Sequence, residues 1–215
     1  MYFVLLHSAH LELKIKSKLK YSKVELLNWD DHQSAQMKPT CRPDILHHSL
    51  LQLLDSPLNH SNLLRVYVST QDNQLIEINE KTRLPRTFKR FCGLMCQLLQ
   101  KMTIKSTQNE TLLRIVKNPI TRHMPVNTRY VVLSDKGQLQ RVDQFLTELK
   151  TKEIREGEDM NICFIVGAIP HGDDVYSVDG VDISDHKLSL SEFPLSAALS
   201  VSKLTDGIER FENLF

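Results

Sequence analysis

The densest positive charge in the chain is Arg83-Leu84-Pro85-Arg86-Thr87-Phe88-Lys89-Arg90. Arginine suits phosphate, because its planar guanidinium donates two parallel hydrogen bonds. Pro85 is a residue for the first turn of a helix. A helix from about Pro85 to Met102 puts Arg86 and Arg90 on one face, with Arg83 just before it. Phe88, Phe91, Met95, Leu98 and Leu99 fall on a different stripe at core spacing. Like charges four apart cost about 0.2–0.5 kcal/mol, and no acid lies between Lys81 and Arg90 to relieve them. Gly93 falls near the arginine face and leaves backbone open there. A solvated face is the plain alternative; clustering of a single sign favours a phosphate-bearing partner. Arg42-Pro43-Asp44 is assigned to the same surface. Asp44 is placed to hold Arg42 in one rotamer or to cap the helix that follows, and the two roles are compatible.

A second chemistry is written into the last third. Ile162 to Gly167 reads as a central strand ending in glycine, and ligands in open α/β sheets sit outside such ends. Gly167 and Gly172 are spaced like the glycines of a phosphate-binding loop, but Asp173 and Asp174 follow where that loop needs Lys and Ser or Thr. No G-x-G-x-x-G occurs either. A glycine-edged pocket that rejects phosphate still suits an uncharged adenosine bearing a cationic sulfonium. Ser191 to Ala198 forms a tight entry to the last helix, read either as a loop that presents backbone groups to an adenine edge or as a plain helix cap. His171 lies in the glycine loop as a solvated residue or a proton acceptor, and no general base is assigned.

The elements that must position these residues follow from periodicity. Tyr2 to Leu6 is a buried strand. Lys14, Lys16, Lys18, Lys20 and Lys23 alternate with apolar residues, as a half-buried strand or a frayed helix with a basic outer face. Residues 30–42 read as a loop, Ile45 to Leu54 as an amphipathic helix stopped at Asp55-Ser56-Pro57. Leu63 to Ser69 and Gln74 to Ile78 make a hairpin, and Thr111 to Val116 a short apolar element. Arg129 to Leu133 is a strand closed by the turn Ser134-Asp135-Lys136-Gly137. Helices are expected at Leu139 to Leu149 and from about Pro194 to Arg210. Strands alternating with helices imply an α/β fold with a parallel sheet flanked by helices.

The chain has 215 residues and a formal net charge of +1, so nucleic-acid binding must come from a local patch. No apolar run approaches the roughly 18 residues of a membrane span, and Tyr2 to Leu6 is too short for a signal peptide. Cys41, Cys92, Cys96 and Cys163 have neither disulfide nor zinc spacing; no metal is expected.

Several blocks together carry a resemblance. Arg42-Pro43-Asp44-Ile45, LQLLDSPLN from Leu51, TRLPRTFKRFCGL from Thr82, Lys117-Asn118-Pro119, FIVGAIPHG from Phe164 and FPLSAA from Phe193 occur in order along the chain. They resemble the pseudouridine-N1-specific methyltransferases of small-subunit ribosome biogenesis, on the eukaryotic side. The resemblance implies one SPOUT-type knotted domain over residues 1–215, with an RNA-binding elaboration at about 42–102 and a cofactor-binding knot region at about 129–215. It also implies S-adenosylmethionine as donor, small-subunit rRNA as substrate, a homodimer, pre-ribosomal assembly factors as partners, and a nuclear, nucleolar location. Arg42, Arg83, Arg86 and Arg90 would contact rRNA, with Asp44 steadying Arg42. Leu133, Gly167, Gly172, Leu190, Ser191, Glu192, Phe193, Pro194 and Leu195 would line the cofactor pocket. Asp173 departs from a usual Lys, Asp174 to Gly180 is acidic, and Glu192-Phe193 stands for a usual Asn-Tyr. A non-catalytic rRNA-binding assembly factor is the rival reading; the glycine-edged pocket discriminates against it.

Overall fold

Tyr2 to Leu6 is apolar at every position, as a strand covered on both faces must be. In the computed structural model, which describes residues 1–18, 21–26, 41–170, 177–178 and 181–214, this run opens β1 (Tyr2–Ala9). A ribbon of β2 (Leu13–Lys18) and β3 (Tyr21–Leu26) follows, then α1 (Pro43–Asp55), α2 (Pro57–His60), β4 (Leu64–Thr70) and β5 (Leu75–Ile78). Next come α3 (Phe88–Lys101), β6 (Thr103–Lys105), β7 (Thr111–Val116), a 3-10 turn at Ile120–His123, β8 (Arg129–Leu139) and α4 (Val142–Glu153). The chain closes with β9 (Ile162–Gly167), the short pair β10 (Ser177–Val178) and β11 (Val181–Asp182), β12 (His186–Ser189) and α5 (Ala197–Glu212).

Eight strands form one sheet in the order β12-β8-β9-β1-β4-β5-β7-β6. From β12 to β4 neighbours are parallel, and from β4 to β6 they are antiparallel. Alternation along β1 splits the core. Tyr2, Val4 and Leu6 join the buried residues of α1 to α5 in one cluster. Phe3 and Leu5 join Tyr67, Val132, Cys163 and Ile165 on the other face, covered by Ile120, Met124 and Ile183. The helices thus lie on one side of the sheet, and turn and loop segments cover the other. No helix among the described residues is long and apolar enough to cross a membrane.

Three local readings change. First, α3 begins at Phe88 rather than Pro85. The stretch before it is held by other contacts: the Pro85 carbonyl accepts from His47 Nε2 at 2.8 Å, and Leu84 is buried in the core. Arg86 is therefore not on the helix, and it does not share a helical face with Arg90. Second, Ser134 to Gly137 does not end β8. Val132 pairs with Lys187 and Gln138 with Leu188, so residues 133–137 loop out of the ladder and the strand resumes. A partner some fifty residues later recaptures it, which local turn chemistry cannot signal. Third, at the start of the lysine-bearing ribbon the expected inside and outside are exchanged: Lys14 is half-buried while Ile15 is 73% exposed. Residues 19, 20 and 27–40, with most of the expected loop, lie outside the described residues.

Candidate functional site

The carboxyl ends of β8, β9 and β12 lie side by side, where open α/β sheets place ligands. A cleft of about 390 Å³ opens there, a size suited to a small organic ligand. One wall is the β8 excursion from Leu133 to Lys136, and a second is the end of β9 with Gly167 and Pro170. A third runs from Leu188 to Ser191 and from Phe193 to Leu195, with Ser200 of α5 beneath. Of the residues assigned to a pocket from sequence, Leu133, Gly167, Leu190, Ser191, Phe193, Pro194 and Leu195 meet here. Glu192 is exposed and is not part of the lining. Gly172 and His171 lie outside the described residues.

The walls are held mainly through backbone. A Cβ added to Gly137 would stand 2.7 Å from the Leu188 main chain, so only glycine lets the excursion return against β12. Serines pin the loops internally. Ser134 Oγ accepts from the Lys136 N–H at 3.0 Å, Ser189 Oγ donates to the Ser191 carbonyl at 2.9 Å, and Ser191 Oγ accepts from the Phe193 N–H at 3.1 Å. The main-chain groups of Leu190 and Leu195 make no hydrogen bond to the described residues. Ser196 caps α5 by accepting from the Leu199 N–H at 3.3 Å. Asp135 is the one carboxylate lining the cleft among the described residues.

The basic site is held by side chains. Arg42 forks onto Asp44, with Nε to Oδ1 at 2.9 Å and Nη2 to Oδ2 at 2.7 Å. Burial pushes the Asp44 carboxyl up, but the hydrogen bonds and charge of Arg42 outweigh it and hold it below the usual carboxylate range. Asp44 is not a cap. The N-cap position of α1 is Arg42, which makes no capping bond, and Pro43 leads the helix. Arg86 forks onto Asp55, the last residue of α1, with one contact at 3.1 Å. The acid missing from the local sequence is supplied by another element. Arg83 and Arg90 are exposed and carry no ion pair among the described residues. Arg86, Lys89 and Arg90 cluster at the start of α3, whose first turn holds no acid. Cations are disfavoured at a helix N-terminus, and an anion there is favoured by both charge and helix dipole.

Two buried side chains support this segment without being singled out from sequence. His47 of α1 donates to the Pro85 carbonyl and stacks on Phe91 at 4.5 Å between ring centroids. Burial pushes its pKa down, partly opposed by the Pro85 carbonyl. Asn59 Nδ2 donates to the carbonyls of Leu54 and Glu80, each at 3.0 Å, and so ties the end of α1 to the approach to the basic segment. His47-His48 and the N in LDSPLN are ordinary residue types; only the fold brings them against Pro85 and Glu80.

Residues 4–209 match the family model described as EMG1/NEP1 methyltransferase. The chain is 42% identical over 214 residues to ribosomal RNA small subunit methyltransferase NEP1 of Candida glabrata, covering 96% of this chain and 86% of that one. It is 42% identical over 198 residues to the protein of that name from Homo sapiens, covering 86% and 72%. The mra1 methyltransferase of Schizosaccharomyces pombe matches 97% of this chain at 42% identity, and the match spans 57% of that relative's own length. Among solved structures, Nep1 of Archaeoglobus fulgidus bound to S-adenosylhomocysteine superposes with a TM-score of 0.75 at 25% identity over 98% of each chain, which makes the fold SPOUT-type. The family match runs from the first strand into the last helix, and the chain belongs to the EMG1/NEP1 methyltransferase family.

Proposed function

We propose that this protein transfers a methyl group from S-adenosylmethionine to small-subunit rRNA, at N1 of a pseudouridine, during small-subunit ribosome biogenesis. The observation that carries the reading is the cleft at the ends of β8, β9 and β12, in a chain whose solved relative holds S-adenosylhomocysteine at 98% coverage. The residues present fit that donor. Leu133, Val166 and Leu188 offer apolar wall to an adenine, the main-chain groups of Leu190 and Leu195, which are unpaired among the described residues, offer donors and acceptors to its edge, and Asp135 offers negative charge to a cationic ligand.

S-adenosylmethionine supplies an electrophilic methyl on a sulfonium. What the chain supplies is position. Pseudouridine presents a free ring N1–H, and alignment of that nitrogen at near-attack distance accounts for much of a methyl transfer rate. RNA bases are read when unstacked, so the target base enters the cleft from a loop or by extrusion. Arg42, Arg83, Arg86 and Arg90 hold phosphates and set the register, while the cleft sets specificity. Asp44 and Asp55 hold Arg42 and Arg86 in place for that task.

The reading extends to the rest of the assembly. Phe193 is 73% exposed, Leu139 53% and Leu199 46%, apolar side chains that a second copy would cover in a homodimer. Residues 129–215 are the stretch assigned to the knot. A nucleolar location and contacts with pre-ribosomal factors follow from the substrate.

The test is mass spectrometry of nucleosides after reaction of the protein with S-adenosylmethionine and paired RNAs. The RNAs carry either pseudouridine or uridine at the target position. The reading requires N1-methylpseudouridine from the first and no product from the second. Cofactor binding without transfer to either RNA would favour the non-catalytic assembly factor.

A further inference from the structure

The cleft at the ends of β8, β9 and β12 has one charged wall. Among the described residues that line it, Asp135 is the one carboxylate and Lys136 the one cation. They are neighbours on residues 133–137, the loop that leaves the β8 ladder between Val132 and Gln138. Both residues are exposed, and neither side chain makes an ion pair or a hydrogen bond among the described residues. The serines of the lining differ. Ser134 accepts from the Lys136 N–H, Ser189 donates to the Ser191 carbonyl, and Ser191 accepts from the Phe193 N–H. Those hydroxyls hold the walls; the charges of Asp135 and Lys136 hold nothing.

The backbone beneath the pair is fixed. The Lys136 N–H is tied to Ser134 at 3.0 Å, and Gly137 lies too close to the Leu188 main chain for any Cβ. A fixed backbone lowers the ordering cost when a ligand engages the two side chains. Their signs narrow the ligand. A phosphate attracted by Lys136 is repelled by Asp135, and a simple cation meets the reverse. A group that satisfies both carries an ammonium and a carboxylate a few bonds apart, which describes an α-amino acid. The rest of the lining suits an uncharged base, with apolar wall at Leu133, Val166 and Leu188 and open main chain at Leu190 and Leu195. The cleft is therefore divided as S-adenosylmethionine is, into a nucleoside end and a zwitterionic end.

We propose that Asp135 and Lys136 bind the amino-acid end of the cofactor, Asp135 taking its ammonium and Lys136 its carboxylate. The proposal rests on the methyltransferase reading above and adds to it which side chains recognise the donor, and at which end. Exposed charge pairs contribute little each, so the pair selects among adenosine thioethers while the backbone walls supply most of the affinity. The charges of the ligand's amino-acid end sum to zero, as do those of the wall, so salt changes cofactor affinity little.

The experiment is calorimetry of wild type, Asp135→Asn and Lys136→Gln with three ligands. S-adenosylhomocysteine carries both groups, its decarboxylated analogue keeps the ammonium alone, and methylthioadenosine has neither. Lys136→Gln lowers affinity for S-adenosylhomocysteine roughly three- to fivefold and leaves the other two within about twofold. Asp135→Asn lowers affinity for both amine-bearing ligands by a similar factor and spares methylthioadenosine. Equal losses on all three ligands, or no loss on any, overturn the proposal alone. So does a Lys136→Gln that keeps S-adenosylhomocysteine affinity and loses RNA affinity, which would assign Lys136 to a phosphate. Wild type that binds none of the three overturns the methyltransferase reading as well. Should a variant not fold, acetylation of wild type decides. Protection of Lys136 by S-adenosylhomocysteine and not by the decarboxylated analogue supports the proposal, and equal reactivity with either overturns it.

Discussion

The two sites of this molecule are built by opposite means. The basic site consists of long side chains, two of them braced by other side chains: Arg42 by Asp44 at the start of α1, and Arg86 by Asp55 at its end. Asp44 and Asp55 stand roughly 16 Å apart along the helix axis. At the cleft, the walls are strand ends and a looped-out segment, held by serines and by a glycine that permits close approach. In the proposed function the first site reads charge, and its exposure leaves it open to screening by salt. The second, in the same proposal, reads shape and backbone polarity. A site of the first kind fails when one side chain changes; a site of the second kind tolerates side-chain change and fails when the backbone moves. That contrast accounts for an exposed Glu192 in the middle of a cleft loop whose neighbours line the wall.

The largest effect is expected where the backbone has no room. Gly137→Val forces a Cβ into the Leu188 main chain, which is fixed in the sheet. Calorimetry should show S-adenosylmethionine affinity lowered about 100-fold, about 2.8 kcal/mol, with RNA affinity kept within about twofold. Equal loss of both would break the separation of the two sites. Next comes the paired change Arg86→Ala and Arg90→Ala. RNA affinity should fall roughly tenfold or more, and its salt slope by about 1–2, while cofactor affinity stays put.

Asp44→Ala leaves every arginine in place and removes only a brace, so a smaller loss is expected, roughly three- to tenfold in RNA affinity at about 1.4 kcal/mol per decade. Because Asp44 titrates below its usual 3.8, the brace is complete above that pH and is lost only as pH falls through the lower native value. RNA affinity between pH 8 and 5 should therefore show no Asp44 titration. The smallest effect belongs to His47. Its native pKa lies below 6.5, so the unfolded chain binds the proton first, and stability declines as pH drops below 6.5 toward the native value. Thermal melts from pH 7.5 to 5.5 should show a decline in wild type that His47→Asn flattens.

Much of this was legible in the sequence, and unevenly. The apolar run of β1, the core stripe of α3 and the β4–β5 hairpin follow from periodicity, because burial imposes it. The blocks around Arg42, Arg83 and Phe164 pointed to the family. Three features were hidden because their partners are remote. Asp55 closes on Arg86 from 31 residues away, His47 holds the Pro85 carbonyl ahead of α3, and β12 recaptures β8 after a turn-like tetrapeptide. The same cause concealed Ser134, Asp135 and Lys136 as parts of the cleft wall. A turn signal marks where a chain leaves its direction, not that a later strand will take it back.

A single salt titration on the unmodified protein tests the contrast most directly. Affinities for target RNA and for S-adenosylmethionine are measured across the same series of salt concentrations. A site that reads charge and a site that reads backbone and shape require a steep linear fall of log K with log salt for RNA, and a nearly flat line for the cofactor. A flat response for RNA, or a cofactor line as steep as that for RNA, would contradict the account.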